Sequence, residues 1–280
     1  MSVEAGVVWN WKDWTIQGLS LSGIRTSFLL PQLNIVWDVA QGYPFALHAK
    51  KYFLSHGHLD HAAGVPYILS QKAMNSAPKA KFYMPESLIE PLTRIMRIWE
   101  EIEKHEYEFD FLPAKDQQPI EINKGYDIEP FKTIHRVDSF GYTLVEKKTR
   151  LKAEYAGKTE TELKEIRASG AQLAEKIRTP LISFTGDTQI EFLDVSPQTK
   201  NSKCLIMECT YLDDRKTIEN AKKWGHTHLD ELIERLDDVH AEKIVIIHIS
   251  SRYSTDEARK IIQKRVPKAH QERIEIFPGR

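Results

Sequence analysis

The sequence predicts an α/β (α+β) fold in which two sheets pack face to face with helices outside, as one domain spanning residues 1–280. Three observations carry that prediction. Short β-rich runs separated by polar turns fill the first third of the chain, a second β set follows a long helical stretch, and helices accompany each half. The composition agrees, since 41% hydrophobic and 28% charged residues make an ordinary globular balance with enough apolar surface for a core. A length of 280 residues is common for single units of this class.

The elements follow in order. "SLSGIRTSFLL", "LNIVWDVA" and "KYFLS" carry β-branched or aromatic residues at strand length. From Glu86 to Lys104, Leu88, Leu92, Ile95, Trp99 and Ile102 recur at three-to-four spacing, which predicts an amphipathic helix with one buried stripe. "DIEPFKTIH" and "GYTLVEKK" read as strands. The charged span from Lys147 to Lys176, within an excursion at about 147–178, is polar on most faces and reads as an exposed helical segment of the same domain. "PLISFTGD" and "KCLIMECTYL" are apolar runs short enough for buried strands. Thr227 opens a predicted helix over 227–239, "KIVIIHI" follows as a strand, and Ser254 with Glu257 forms a capping box for a last helix. No internal repeat is visible.

A net charge of −1 gives no global pull on nucleic acid or anionic membrane, so a polyanion would need a local patch. No apolar run approaches the ~20 residues that span a bilayer. The start "MSVEAGVVWNWKDW" has none of the marks of an export or organelle address, so a cytoplasmic location without a membrane partner is expected. Cys204 and Cys209 are separated by an odd interval in a strand-like run, which sends them to opposite faces as inert core thiols.

"FLSHGHLDHAAG" crowds His56, His58, Asp60 and His61 into six residues directly after a strand. His56 and His58, two apart in extended chain, project to the same side and can grip one ion, while Asp60 and His61 lie past the bend and suit a second. Imidazole and carboxylate without thiolate are the donors of a catalytic, water-bearing zinc site rather than a closed structural one. Two ions need more ligands than one loop supplies. His135, Asp187 and His248 each close an apolar strand run; singly they read as core histidines or a turn aspartate, and jointly they complete a set of five histidines and two aspartates.

The pattern HxHxDH after a strand, a strand-end His, a "TGDT" Asp and a terminal strand His resembles the metallo-β-lactamase superfamily. The resemblance implies a four-layer αββα sandwich with a two-metal cleft. It places His56, His58 and His135 on one zinc, Asp60, His61 and His248 on the other, and Asp187 between them. Two Zn2+ per subunit are expected, although the same donors serve Mn2+ or Fe2+. β-Lactamases carry a cysteine where Asp187 stands, so antibiotic hydrolysis is not expected.

Two close ions can turn a bridging water into hydroxide near neutral pH, which opens thioesters as well as phosphodiesters. A thiolate leaves unaided, whereas a ribose 3′-oxygen leaves as a basic alkoxide and needs a proton. Glu208 at a strand end and His226 in a turn before a helix could supply one, although spacing alone favours reading His226 as a helix-start histidine without a role.

"ECTYLDD", "KKWGHTH", "HISSRY", "HRVDSFGY" and "FTGDT" together resemble ribonuclease Z, the tRNA 3′-processing endonucleases, with the charged span most like the short chloroplast-type and bacterial branch. That resemblance makes Glu208 and His226 a proton-donating couple, with Asp60 also catalytic, precursor tRNA the substrate, and a homodimer the assembly. The long Gly/Pro-tipped arm of typical bacterial members is absent from the pattern. Lys147, Lys148, Arg150 and Lys152 replace it electrostatically, or are a solvated charge run, and Arg252 of "HISSRY" joins them as a candidate substrate contact. The competing reading is a thioester or lactone hydrolase of glyoxalase II type, which adds a substantial helical segment after the last ligand. Only Ile249 to Arg280 follow His248 here.

Overall fold

The structure, a computed structural model, describes residues 5–75 and 77–279. The first four residues of the stretch read for a targeting address lie outside them. The first sheet runs β1 (Val7–Trp11), β2 (Trp14–Leu21), β3 (Arg25–Leu30), β4 (Ile35–Val39), β5 (Lys51–Phe53), β6 (Ala80–Met84) and β7 (Phe109–Pro113) in spatial order. The second holds β8 (Ile120–Asn123), β9 (Tyr126–Lys132), β10 (Phe140–Leu151), β11 (Ala174–Phe184), β12 (Cys204–Glu208), β13 (Lys243–Ile247) and β14 (Ile274–Ile276), again neighbour to neighbour. In each sheet the first three pairings are antiparallel and the last three parallel. This repeat of architecture leaves no trace in the residues themselves, because pairing direction is set by connections and not by side-chain identity.

The four layers follow from three apolar clusters. Between the sheets, Phe28, Trp37 and Phe53 meet Tyr142, Phe184 and Ile206, with Trp37 stacked on Phe184 at 5.5 Å between centroids. Outside the first sheet, α1 (Leu59–Ala62), α2 (Val65–Met74) and α3 (Glu86–Glu103) cover Tyr52 and Phe82 through Val65, Ile68, Leu92 and Met96. After α4 (Glu160–Ala168), α5 (Phe192–Val195) and α6 (Ile218–Trp224) come α7 (Leu229–Arg235), α8 (Thr255–Arg265) and α9 (Lys268–Gln271). Leu229, Leu232, Ala258 and Ile262 of α7 and α8 cover Leu205, Met207 and Ile244 of the second sheet. No helix among the described residues is long and apolar enough to cross a membrane.

Several local expectations need correction. "SLSGIRTSFLL" is the end of β2, a turn with Gly23 at φ +69°, and β3. Helix α3 forms where the spacing places it, but it is anchored by Leu92 and Met96, while Ile95, Trp99 and Ile102 stay 42%, 40% and 61% exposed. Periodicity shows that an apolar face exists, not what covers it. The helix over 227–239 is α7 followed by a 3₁₀ turn at Leu236–Asp238, and its cap is His228 rather than Thr227.

The charged excursion is mainly a ribbon in which β10 and β11 run on together past the sheet, pairing Lys147 with Arg178 and Leu151 with Ala174. Only α4 at its tip is α-helical, opened by a Thr159–Glu162 capping box. The strands escape a pattern reading because the outer half of β10 buries neither face, so no alternation marks it. The Ser254–Glu257 box forms as expected. Cys204 and Cys209 are free and buried in different clusters, on opposite sides of the second sheet.

Candidate metal centre

The parallel strands of both sheets point their carboxyl ends at one cleft, and the histidine-rich turn leaves β5 there. His58 lies just before α1, and Asp60 and His61 are the middle two of its four residues. His135, Asp187 and His248 arrive one to three residues beyond the ends of β9, β11 and β13. Two backbone features allow this approach. Gly186 has φ +61°, and a Cβ there would lie 2.5 Å from Cβ of Ser55. His248 itself adopts φ +56°, an unusual conformation for a branched-ring residue of the kind found where surrounding contacts dictate the backbone.

All seven sequence-predicted ligands converge. Donor atoms of His56, His58, His135 and Asp187 lie within 4.8 Å of one another, as do those of Asp60, His61 and His248. Asp187 faces both groups, with Oδ1 3.3 Å from His61 Nε2 and 3.4 Å from His248 Nε2, and Oδ2 3.7 Å from His56 Nε2. His56, His61, Asp187 and His248 are almost wholly buried. His56 Nε2, His61 Nε2 and Asp187 Oδ1 are buried without a hydrogen-bond partner within the protein. Orphaned ligand atoms of this kind, aimed at one cluster, are costly unless a cation takes them, so the residues fit bound divalent metal.

The outer ring nitrogens explain the orientation. Nδ1 of His61 pairs with Asp38 Oδ2 at 2.7 Å, and Nδ1 of His56 with Ser55 Oγ at 2.9 Å. Nδ1 of His135 donates to the Gly225 carbonyl at 2.7 Å, and Nδ1 of His248 faces Thr210 Oγ1 at 3.1 Å. Four of the five imidazoles thus turn Nε2 inward, while His58 presents Nδ1, 3.2 Å from His135 Nε2. Burial pushes His56, His58 and His135 below the usual histidine range, which keeps their lone pairs available at neutral pH. Burial alone would raise Asp60 and Asp187. For Asp60 a hydrogen bond with His248 prevails, and for Asp187 the surrounding His248 and His61 prevail, so both stay below the usual carboxylate range.

Glu208 and His226 also meet, with Nδ1 2.8 Å from Oε1. Glu208 is fully buried and accepts from the Thr188 N–H, the Thr210 N–H and the Thr210 hydroxyl as well. Burial disfavours a charged His226, but the Glu208 carboxylate outweighs it and lifts the imidazole to about 9. His226 is near Asp187 too, at 4.0 Å. Thr210 therefore touches both the acid couple and a candidate ligand.

The predicted substrate contacts divide between four cations on or just past β10 and Arg252 in the segment after β13. Lys147 pairs with Asp127 at 2.5 Å, Lys148 with Glu146 at 2.9 Å, Arg150 with Glu175 at 2.8 Å and Lys152 with Glu154 at 3.7 Å. Arg252 is exposed, four residues past His248, and its guanidinium reaches Ser250 Oγ at 3.2 Å. Sequence reasoning missed Asp38, Ser55, Thr188 and Thr210. A visible signal for Asp38 was an acid inside the otherwise apolar "IVWDV", buried throughout in β4. The threonines carry no such mark.

Two stacked sheets with a His/Asp cluster and a His–Glu couple at their strand ends define a metal-dependent hydrolase. Residues 36–249 match the family described as the Beta-lactamase superfamily domain, and the chain belongs to it. It is 28% identical over 258 residues to tRNase Z TRZ1 of Arabidopsis thaliana, covering 91% of this chain and 92% of that one. It is also 28% identical to the chloroplastic tRNase Z TRZ2 of the same plant, covering 96% of this chain and 76% of that one. Among solved structures, human tRNase Z, short form, shares the fold with a TM-score of 0.60 at 15% identity, covering 94% of this chain and 95% of that one. The metallo-β-lactamase fold protein YhfI of Bacillus subtilis does so with a TM-score of 0.63 at 16% identity, covering 93% and 94%.

Proposed function

We propose that this protein is a metal-dependent endoribonuclease that removes the 3′ trailer from precursor tRNA. The observation that carries the reading is the His226–Glu208 couple beside the ligand cluster, with Nδ1 engaged and Nε2 left for substrate. An acid of this kind serves an alkoxide leaving group and is superfluous for a thiolate, which argues against a thioester hydrolase of glyoxalase II type. The relatives named tRNase Z, similar over more than nine-tenths of this chain, support the same choice.

In this reading His56, His58 and His135 hold one cation, Asp60, His61 and His248 the other, and Asp187 lies between, with zinc the metal the donors suit best. Bound there, the ions would lower the pKa of water and neutralise charge on phosphate oxygens. The chain does the rest. Asp60 takes a proton from the attacking water, His226 delivers one from Nε2 to the departing 3′-oxygen, and Glu208 holds the imidazole in the orientation that does so. Thr188 and Thr210 fix Glu208 in turn. Arg252 makes the main phosphate contact near the cleft, because each of the four ribbon cations already faces a carboxylate and would have to exchange it.

A homodimer is supported by Ile95, Ile98, Trp99 and Ile102, an apolar stripe on α3 left in water, of which Trp99 lines a groove with Pro66 and Tyr67 of α2. The two free, buried thiols suit a reducing compartment such as the cytoplasm. Incubation with a 3′-extended precursor tRNA, with and without chelator, tests the whole reading. Chelator-sensitive cleavage leaving a 3′-hydroxyl on the tRNA is expected, and rapid thioester turnover without any RNA cleavage would overturn it.

A further inference from the structure

Helix α6 ends at Trp224, and Gly225 turns the chain at φ +77° so that His226 follows at once. The Trp224 indole is 49% exposed, and the Arg136 guanidinium lies 4.8 Å from its ring centroid. Arg136 is itself exposed, and among the described residues no carboxylate pairs with it. The two segments are locked together. His135 donates to the Gly225 carbonyl, and a Cβ at Gly225 would lie 2.5 Å from His135 Nδ1 and 3.1 Å from the Arg136 nitrogen. The platform thus joins a candidate ligand on one side to the acid on the other, and the rings of His135 and His226 are 5.3 Å apart.

Packing does not account for this pair. The indole leaves half its surface in water, and the guanidinium has no counter-charge. Such a combination offers a face to a nucleobase and a positive charge to the neighbouring phosphate. Resting on the endonuclease reading, we propose that Trp224 and Arg136 form the subsite for the unpaired nucleotide immediately 5′ to the cut. Polarity selects that nucleotide. The acid must stand beside the 3′-oxygen that departs, and that oxygen belongs to the upstream nucleoside. The surface continuing outward from His226 therefore receives the upstream base, and the cation cluster receives the phosphate. Stacking recognises any base by its π-face, with purines held more firmly than pyrimidines, so the subsite grades substrates by the base preceding the cleaved bond.

The test uses the metal-loaded full chain and precursor tRNAs that differ only at that nucleotide, carrying adenine, uracil or an abasic site. For the unaltered protein, kcat/KM should fall from adenine to uracil to abasic substrate. Trp224→Ala should lose about 10-fold on the adenine substrate and little on the abasic one, with metal content unchanged. Trp224→Phe should recover most of the loss, and Arg136→Gln should weaken binding of all three substrates while retaining their order. Equal losses of Trp224→Ala on adenine and abasic substrates, or no loss on either, would refute the subsite while leaving the endonuclease reading intact. Failure of the unaltered protein to cut any of the three RNAs would remove both.

Discussion

Asp38 Oδ2 stands 2.7 Å from Nδ1 of His61, and both side chains are wholly buried. The carboxylate also accepts the N–H and hydroxyl of Ser55, so one acid positions one candidate ligand directly and steadies the residue beside another. Burial raises Asp38 above the usual carboxylate range, and His61 is raised well above the usual histidine range because Asp187 and Asp38 overcome its burial. Asp38→Asn should therefore weaken metal retention by about 10- to 100-fold, the usual worth of a residue that orients a ligand. Asp38→Ala should also destabilise the fold by about 3–5 kcal/mol, since it strands His61. Metal titration and chemical denaturation check the two effects, and unaltered affinity in Asp38→Asn would refute the orienting role.

His226→Ala should retain its metal and lose about 10²- to 10⁴-fold in cleavage rate, the range expected when a general acid is deleted. Single-turnover cleavage and elemental analysis of the same preparation separate these outcomes. Loss of metal together with rate would instead place His226 among the ligands.

The pH profile follows from the same couple. With His226 at about 9, the acid is protonated at neutral pH, and the rate should decline as pH rises through that value. Glu208→Gln removes the charge that lifts the imidazole, so the alkaline limb should move to lower pH. A limb that stays in place would show that another group supplies the proton.

Thr210 Oγ1 lies 2.8 Å from Glu208 Oε2 and 3.1 Å from His248 Nδ1. Donating to the carboxylate, it accepts from Nδ1 of the imidazole and so aims Nε2 of His248 at Asp60 and Asp187. Thr210→Val should lower both metal affinity and the rate of the fully loaded protein, whereas Thr210→Ser should preserve both. If the valine variant changes only the melting temperature, the hydroxyl is structural.

The stripe on α3 gives a fifth test. Ile98→Glu with Ile102→Glu should convert the proposed homodimer to monomer in light scattering, with little change in folding because both side chains are already in water, 56% and 61% exposed. A wild-type chain that is monomeric at micromolar concentration would dispose of the assembly altogether.

The seven candidate ligands were legible because a metal pair demands specific side chains, and a compressed run such as His56 to His61 has few other uses. Their convergence was legible through His135, Asp187 and His248, each marked by the apolar strand before it. Asp38 showed only as an acid in an apolar run, without its partner, and Thr210 not at all, since a lone hydroxyl gains meaning only when a distant strand places an imidazole against it. The α3 stripe failed for a related reason, as Ile95 and Trp99 satisfy the helical period whether or not anything lies above them. Between Lys147 and Lys176 the strands vanished from view because a ribbon solvated on both faces has no inside to alternate with.

The doubled pairing scheme of the two sheets divides the donors unevenly. His56, His58, Asp60 and His61 hang from the first half, and His135, Asp187, His226 and His248 from the second. Neither half owns all seven candidate ligands, so the whole set meets only at the seam. A first sheet folded by itself thus carries four of the seven candidate ligands, and the full cluster is assembled only when the second sheet docks against it.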